Sequence, residues 1–192
     1  FMSEKYDTLL ARTEQHEKDI KGVKQRLQKV EKQDAEVTKL KADLDALEWR
    51  SRKLNLEFHG IPETQDENLL TKINDLAAQT KLPRLSDQNV VAVHRLPSKK
   101  DKTPAINCRF AKQADRDKWW QSRKELQKSD DKVYVLENLT KQARDLLFHV
   151  KNWAKQNNFK YAWHSNGRIL LRKDAGETAV VISTCLDLEK LS

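Results

Sequence analysis

The sequence predicts an α+β chain: an N-terminal coiled coil, a middle βαββαβ module and a small α/β C-terminal module. Three observations carry this. Residues 4–48 contain no proline and a single glycine, and are dominated by Glu, Lys, Gln, Leu and Val. After residue 50 that pattern gives way to short alternating apolar runs interleaved with helical stripes. The 192 residues are 34% charged with a formal charge of +8, which is too much charge for one compact globule and suits a long solvated element attached to smaller ones. The resulting domains are 1–50, a coiled coil for oligomerisation; 51–138, the middle module; and 139–192, the C-terminal module.

The N-terminal segment is electrically neutral, with 11 basic and 11 acidic residues in 1–50. Apolar residues recur at alternating spacings of three and four at Ile20, Val23, Leu27 and Val30. The same register reaches back to Tyr6 and Leu9 and forward to Val37 and Leu44. Leu40 and Leu47 fit a frame shifted near Asp34. A helix with one such stripe on an otherwise polar surface is not stable alone and pairs with copies of itself. In the run Arg26-Leu27-Gln28-Lys29-Val30-Glu31, Leu27 and Val30 are core positions, and Arg26 and Glu31 flank them where they bridge between chains. This resembles the Arg-hydrophobic-x-x-hydrophobic-Glu motif of parallel trimers, so a homotrimer is expected ahead of a dimer.

Arg50, Arg52 and Lys53 cluster where the helix ends. Leu54 to His59 then alternates strictly and runs into Gly60-Ile61-Pro62, a strand leading to a loop. Residues 66–80 put Leu69, Leu70, Ile73, Leu76 and Ala77 on one helical stripe. Val90 to Val93 reads as a second strand, and Ile106, Cys108 and Phe110 mark a third. Residues 113–128 form another helix, and Lys132 to Leu136 a fourth strand. The order βαββαβ implies a four-stranded antiparallel sheet with two helices on one face, the topology of the RNA-recognition motif. With Leu54, Leu56 and Phe58 facing the helices, Asn55, Glu57 and His59 face outward. Burial of Ile106, Cys108 and Phe110 likewise turns Ala105, Asn107 and Arg109 outward. The two central strands therefore carry no stacking aromatics, and only Tyr134 on the fourth strand offers a ring. Nucleic acid here is expected to be held by charge from Arg95, Lys99, Lys100, Lys102, Arg109, Lys112 and Arg116, with little sequence preference and a steep salt dependence.

Residues 140–157 read as a helix capped by Thr140, with Ala143, Leu146, Leu147, Val150 and Ala154 buried. Asn166-Gly167 marks a tight type I′ hairpin. A two-residue loop sets Tyr161 opposite Arg172, Trp163 opposite Leu170 and Ser165 opposite Arg168. Tyr161, Trp163, Arg168 and Arg172 then share one face, free to stack bases and contact phosphates, while Ala162, Ile169 and Leu171 face the helix. Burial of Trp163 in the core is the competing reading. A strand over 178–182 and a short helix over 187–191 complete the module.

All of the excess charge lies after residue 50, where 26 basic side chains face 18 acidic ones. It concentrates in 92–125 (ten basic, four acidic) and 140–174 (eight basic, two acidic), which points to a polyanionic partner. Catalysis is not expected. The four glycines are isolated, and His16, His59, His94, His149 and His164 show no metal-ligand spacing. No Gly-x-Ser-x-Gly elbow is present. Cys108 and Cys185 form no CxxC pair, so no metal or cofactor is expected. No apolar run approaches the roughly 20 residues needed to span a bilayer, and no signal peptide opens the chain. Phe1 ahead of Met2 reads as a fragment boundary. The expectation is a soluble intracellular protein in a cytoplasmic ribonucleoprotein, with nuclear entry left open.

The chain resembles the first-open-reading-frame protein of LINE-type, non-LTR retrotransposons. It is also similar to the few-polyhedra proteins of baculoviruses, whose C-terminal part belongs to the same group. The resemblance runs through the coil, the stretch from Arg50 to Glu63 (RSRKLNLEFHGIPE), Val93 to Pro97 (VHRLP), Cys108 to Phe110, Val133 to Leu139 (VYVLENL) and Asn166 to Lys173 (NGRILLRK). It implies a homotrimeric coiled coil, an atypical RNA-recognition domain and a basic C-terminal domain. Together these bind single-stranded RNA, with single-stranded DNA a second candidate, and act as a nucleic-acid chaperone packaging the element's RNA. The functional positions it implies are Arg95 and Arg109, with Arg168, Arg172 and Lys173 in the last domain. There is no cysteine-rich finger, so zinc-dependent binding is not expected. The baculoviral likeness implies virion or occlusion-body assembly instead, and the residues leave viral and transposon origins open. A structural coiled-coil oligomer binding an acidic protein partner is the alternative function.

Overall fold

Without proline, and with one glycine, the first fifty residues contain nothing to stop a helix. In the computed structural model of the protein, helix α1 runs unbroken over Met2–Arg52. The structure describes residues 2–80, 82–98, 102–128 and 133–191. The chain divides into two compact units, one ending at Asp45 and the other starting at Ala46. In the first unit the apolar stripe has no cover from the chain itself: Ile20, Val23, Leu27, Val30, Val37 and Leu44 are all exposed, Leu27 by 54%. The helix passes through Asp34 without a break, so the shift of frame there lies in the side-chain pattern and not in the backbone.

In the second unit, β1 (Asn55–His59) leads to α2 (Leu69–Thr80), β2 (Val90–Arg95) and β3 (Ile106–Phe110). Then come α3 (Gln113–Gln121), α4 (Arg123–Lys128) and β4 (Tyr134–Glu137). The four strands form one antiparallel sheet in the order β2-β3-β1-β4. Leu56, Phe58, Ile106, Cys108, Phe110 and Val135 all point to the side where α2, α3 and α4 pack. They meet Ile73, Leu76, Trp119 and Leu126 there, and the Trp119 ring stands edge-on to Phe58 with centroids 5.6 Å apart. Burial pushes the Cys108 thiol up to about 12, which makes it a small apolar core residue.

Two expectations are corrected here. Residues 113–128 form two helices, because the chain breaks at Ser122 (φ −80°, ψ 0°). The Trp120 carbonyl freed by the break accepts a hydrogen bond of 2.7 Å from Arg123. The outward sheet face is also not bare, since Glu57 and Asn107, paired across β1 and β3, are both buried. Asn138 donates to Asn107 at 3.3 Å and accepts from Arg52, whose guanidinium also reaches the Leu139 carbonyl. The chain leaving β4 is thereby drawn over the sheet by the end of α1.

The last module holds α5 (Lys141–Gln156), the antiparallel sheet β5 (Tyr161–Ser165), β6 (Arg168–Arg172) and β7 (Val180–Ile182), and α6 (Leu186–Glu189). Thr140 caps α5 by accepting from the Ala143 N–H at 3.1 Å. Val150 and Ala154 of α5 pack on Ile169, Leu171 and Ile182, with Leu188 closing the cluster. The hairpin turns through Asn166 and Gly167, both at positive φ (50° and 77°). A Cβ on Gly167 would lie 2.6 Å from the Trp49 indole nitrogen, so glycine is required there by space as well as by backbone angle.

Candidate nucleic-acid interface

A long cationic side chain serves a polyanion only if no carboxylate already holds it, and this criterion divides the basic residues sharply. Arg95 is fully engaged. Its guanidinium forms a forked pair with Glu67 (2.7 and 2.8 Å) and also donates to the carbonyls of Ile61, Pro62 and Pro104. Hydrogen bonds from Arg95, then Lys72, hold the Glu67 carboxyl far below the ordinary carboxylate range. Arg95 therefore fastens the loop after β1 and is not a free phosphate ligand. Arg116 is buried and bonded to Glu137 at 2.5 Å. Arg52 pairs with Glu48 besides tying down Asn138 and Leu139. In each of these three arginines a carboxylate or carbonyl of the chain already engages the guanidinium, which ties parts of the fold together. Lys99 and Lys100 lie outside the described residues. Arg50, Lys53, Lys102, Arg109, Lys112 and Tyr134 are exposed, but the structure gathers them into no single site.

The hairpin register matches the sequence reading: Tyr161 opposite Arg172, Trp163 opposite Leu170, Ser165 opposite Arg168. Arg172 sits over both rings, 4.6 Å from the Tyr161 centroid and 5.6 Å from that of Trp163. Trp163 is half-buried and stands outside the core cluster of this module. Arg168 and Lys173 are exposed. The result is a cation–aromatic ladder on the face of β5 and β6 turned away from α5.

Beside it lies a cleft of about 520 Å³ bordered by the edge strand β4, the edge strand β5 and α5. Trp120, Leu136, Leu147 and Trp163 supply its apolar surface, and Arg123, Arg144 and Lys151 its cations. Arg123 lies 4.1 Å over the Trp120 ring, and Arg144 donates to the Leu139 carbonyl at 3.4 Å. Among the described residues no carboxylate is within ion-pair distance of these three cations. Two carboxylates also face the cleft. Glu137 is held between Arg116 and His164, whose Nδ1 donates to it at 2.6 Å. Burial opposes the Glu137 charge, but the bonds from His164 and Arg116 outweigh it and lower its pKa. Trp49 at the end of α1 stacks edge-on against His164, with centroids 4.8 Å apart. The other carboxylate, Glu57, receives one bond of 3.0 Å from His59.

Sequence reasoning missed Trp120, Arg123, Arg144 and Lys151. One signal was present, the doublet Trp119-Trp120. Adjacent residues on a helix point about 100° apart, so both rings cannot face one core. Trp119 is fully buried, and Trp120 turns to the cleft. Among the described residues there is no group of His, Cys, Asp and Glu that could hold a metal ion, and no helix long and apolar enough to cross a membrane. No curated protein matches the chain. Residues 140–192, from the α5 cap onward, match the protein family described as baculovirus FP protein domain 2, which links this module to the few-polyhedra family.

Proposed function

We propose that the protein binds single-stranded RNA, self-associates as a homotrimer through α1, and acts as a nucleic-acid chaperone that packages a retrotransposon's RNA into a ribonucleoprotein. The observation that carries the reading is the combination of indole rings and cations with no carboxylate partner among the described residues around one cleft, continued by the Tyr161–Arg172–Trp163 ladder. Single-stranded nucleic acid offers phosphates to cations and unstacked bases to ring faces, and this surface suits both. On this reading the four-stranded sheet is an RNA-recognition-motif-like platform whose binding surface lies at the β4 edge, with the C-terminal module as its second wall. The exposed stripe of α1 supplies the self-association.

The family match over residues 140–192 favours a second reading, a few-polyhedra-like structural oligomer that binds an acidic protein during virion or occlusion-body assembly. One titration separates the two. Anisotropy of a labelled 20-nucleotide RNA, measured from low to high salt, is expected to give log K falling by about 0.7 per log unit of salt for each phosphate neutralised. Arg168→Ala with Arg172→Ala is expected to weaken binding several-fold or more and flatten that slope, with the oligomer mass unchanged. Absence of RNA binding by the unmodified protein would leave the acidic-partner reading standing.

A further inference from the structure

The cleft is cationic at its rim, yet two carboxylates sit inside it, and they are not equivalent. Both oxygens of Glu137 are spoken for, one by Arg116 and one by His164. Glu57 is different. Its Oε2 meets His59, and among the described residues nothing hydrogen-bonds its Oε1. The side chain is only 10% exposed, and it lines the cleft. A carboxylate oxygen in that position repels phosphate, so it does not help hold the backbone of a strand. It accepts strongly from a neutral N–H donor, because hydrogen bonds to charged groups are about twice as strong as neutral ones.

A nucleobase brings such a donor on its edge and a ring face for Trp120 or Trp163. The cleft volume falls in the range of ligand-sized pockets, about 300–1,000 Å³. Its cations lie on α4 and α5, while Glu57 lies on β1. That separation lets a nucleotide place its phosphate on Arg123, Arg144 or Lys151 and its base edge on Glu57. We infer that Glu57 is a specificity-determining residue that makes the cleft a pocket for one unstacked base bearing an exocyclic amine, disfavouring uracil. This rests on the RNA-binding reading above. Cytosine offers the N4 amine to the carboxylate. Uracil has a carbonyl there, and its one N–H lies between two carbonyl oxygens that the carboxylate repels. Binding driven by backbone charge alone predicts no such difference.

The test uses the full chain and two labelled homopolymers of equal length, oligo(C) and oligo(U), in competition at one salt concentration. The unmodified protein is expected to prefer oligo(C) by roughly five- to twentyfold. Glu57→Gln keeps the size of the side chain but adds an N–H that uracil O4 can accept, so the preference should collapse or reverse. Equal affinity of the unmodified protein for both homopolymers overturns the assignment, whatever the variant does. A preference that survives Glu57→Gln unchanged, in protein with an unaltered circular dichroism spectrum, also overturns it. If neither homopolymer nor mixed RNA binds, the RNA reading itself has failed.

Discussion

Arg95, Arg116 and Arg172 look alike in the sequence, each in a basic stretch, and they end in three different situations. Glu67 and three carbonyls take the first, Glu137 takes the second, and the third lies over two aromatic rings. What separates them is a carboxylate 28 residues before Arg95 and another 21 residues after Arg116, and no local pattern announces a partner at that distance. The Arg116–Glu137–His164 group joins α3, β4 and β5, so its charge balance matters to how the two sheets of the second unit are held. Folding lowers the pKa of Glu137. Its bonds therefore add stability above the ordinary carboxylate range, and that contribution disappears as pH falls through the lowered value. Glu137→Gln should cost about 3–5 kcal/mol at pH 7, because Arg116 is left buried without its main partner. Its stability curve should converge on that of the unmodified protein as the pH is lowered. All five tryptophans lie in the second unit, so urea unfolding followed by their fluorescence reports that unit alone. A difference that stays constant from pH 7 to acid would show that Glu137 contributes by packing and not by charge.

At the scale of elements, the parts legible in the sequence were those with a local cause. Alternation in residues 54–59, the Asn166-Gly167 turn and the stripe on α5 each specify an element from a few adjacent residues, and the hairpin register follows from its turn. The cap of α5 is of the same kind. Thr140 is fully buried, and its hydroxyl satisfies the Ala143 N–H. Thr140→Ala should therefore cost about 1–2 kcal/mol, read in the same fluorescence-monitored unfolding, whereas Thr140→Ser should restore most of it. Equal losses in both variants would show that the methyl group and not the cap is what matters. Illegible features had non-local causes. The break at Ser122 exposes a carbonyl that Arg123 satisfies, and a periodic apolar pattern contains no sign of it. The covering of Glu57 and Asn107 depends on Arg52 reaching Asn138 across 86 residues of chain. The cleft inherits both features. Its aromatic wall depends on the α3–α4 break and its carboxylate on a sheet face that the alternation alone would have left open, which is why the candidate site was the least readable part.

At the scale of the whole molecule, the charge of +8 is carried entirely by residues after 50, while the exposed apolar stripe lies before 50. On the proposed function, α1 gathers copies and the second unit meets the polyanion, so affinity would separate into two factors. One factor is the grip of a single cleft, set by Arg123, Lys151 and the rings. The other is the number of clefts that reach the same strand, set by α1. Linking several weak sites can raise avidity by about 10²–10⁴ with no new contact. Leu27→Asp puts a charge in the middle of the seam and should yield a monomer in sedimentation velocity, while leaving the fluorescence-monitored stability of the second unit unchanged. A short RNA that occupies only one cleft should then bind the variant as it binds the unmodified protein. An RNA long enough to cross three clefts should lose about a hundredfold or more. If both lengths weaken together, α1 contributes to the site directly and the assignment of self-association to α1 and RNA contact to the second unit is wrong. If the variant stays oligomeric, the seam through Leu27 is not the contact between copies.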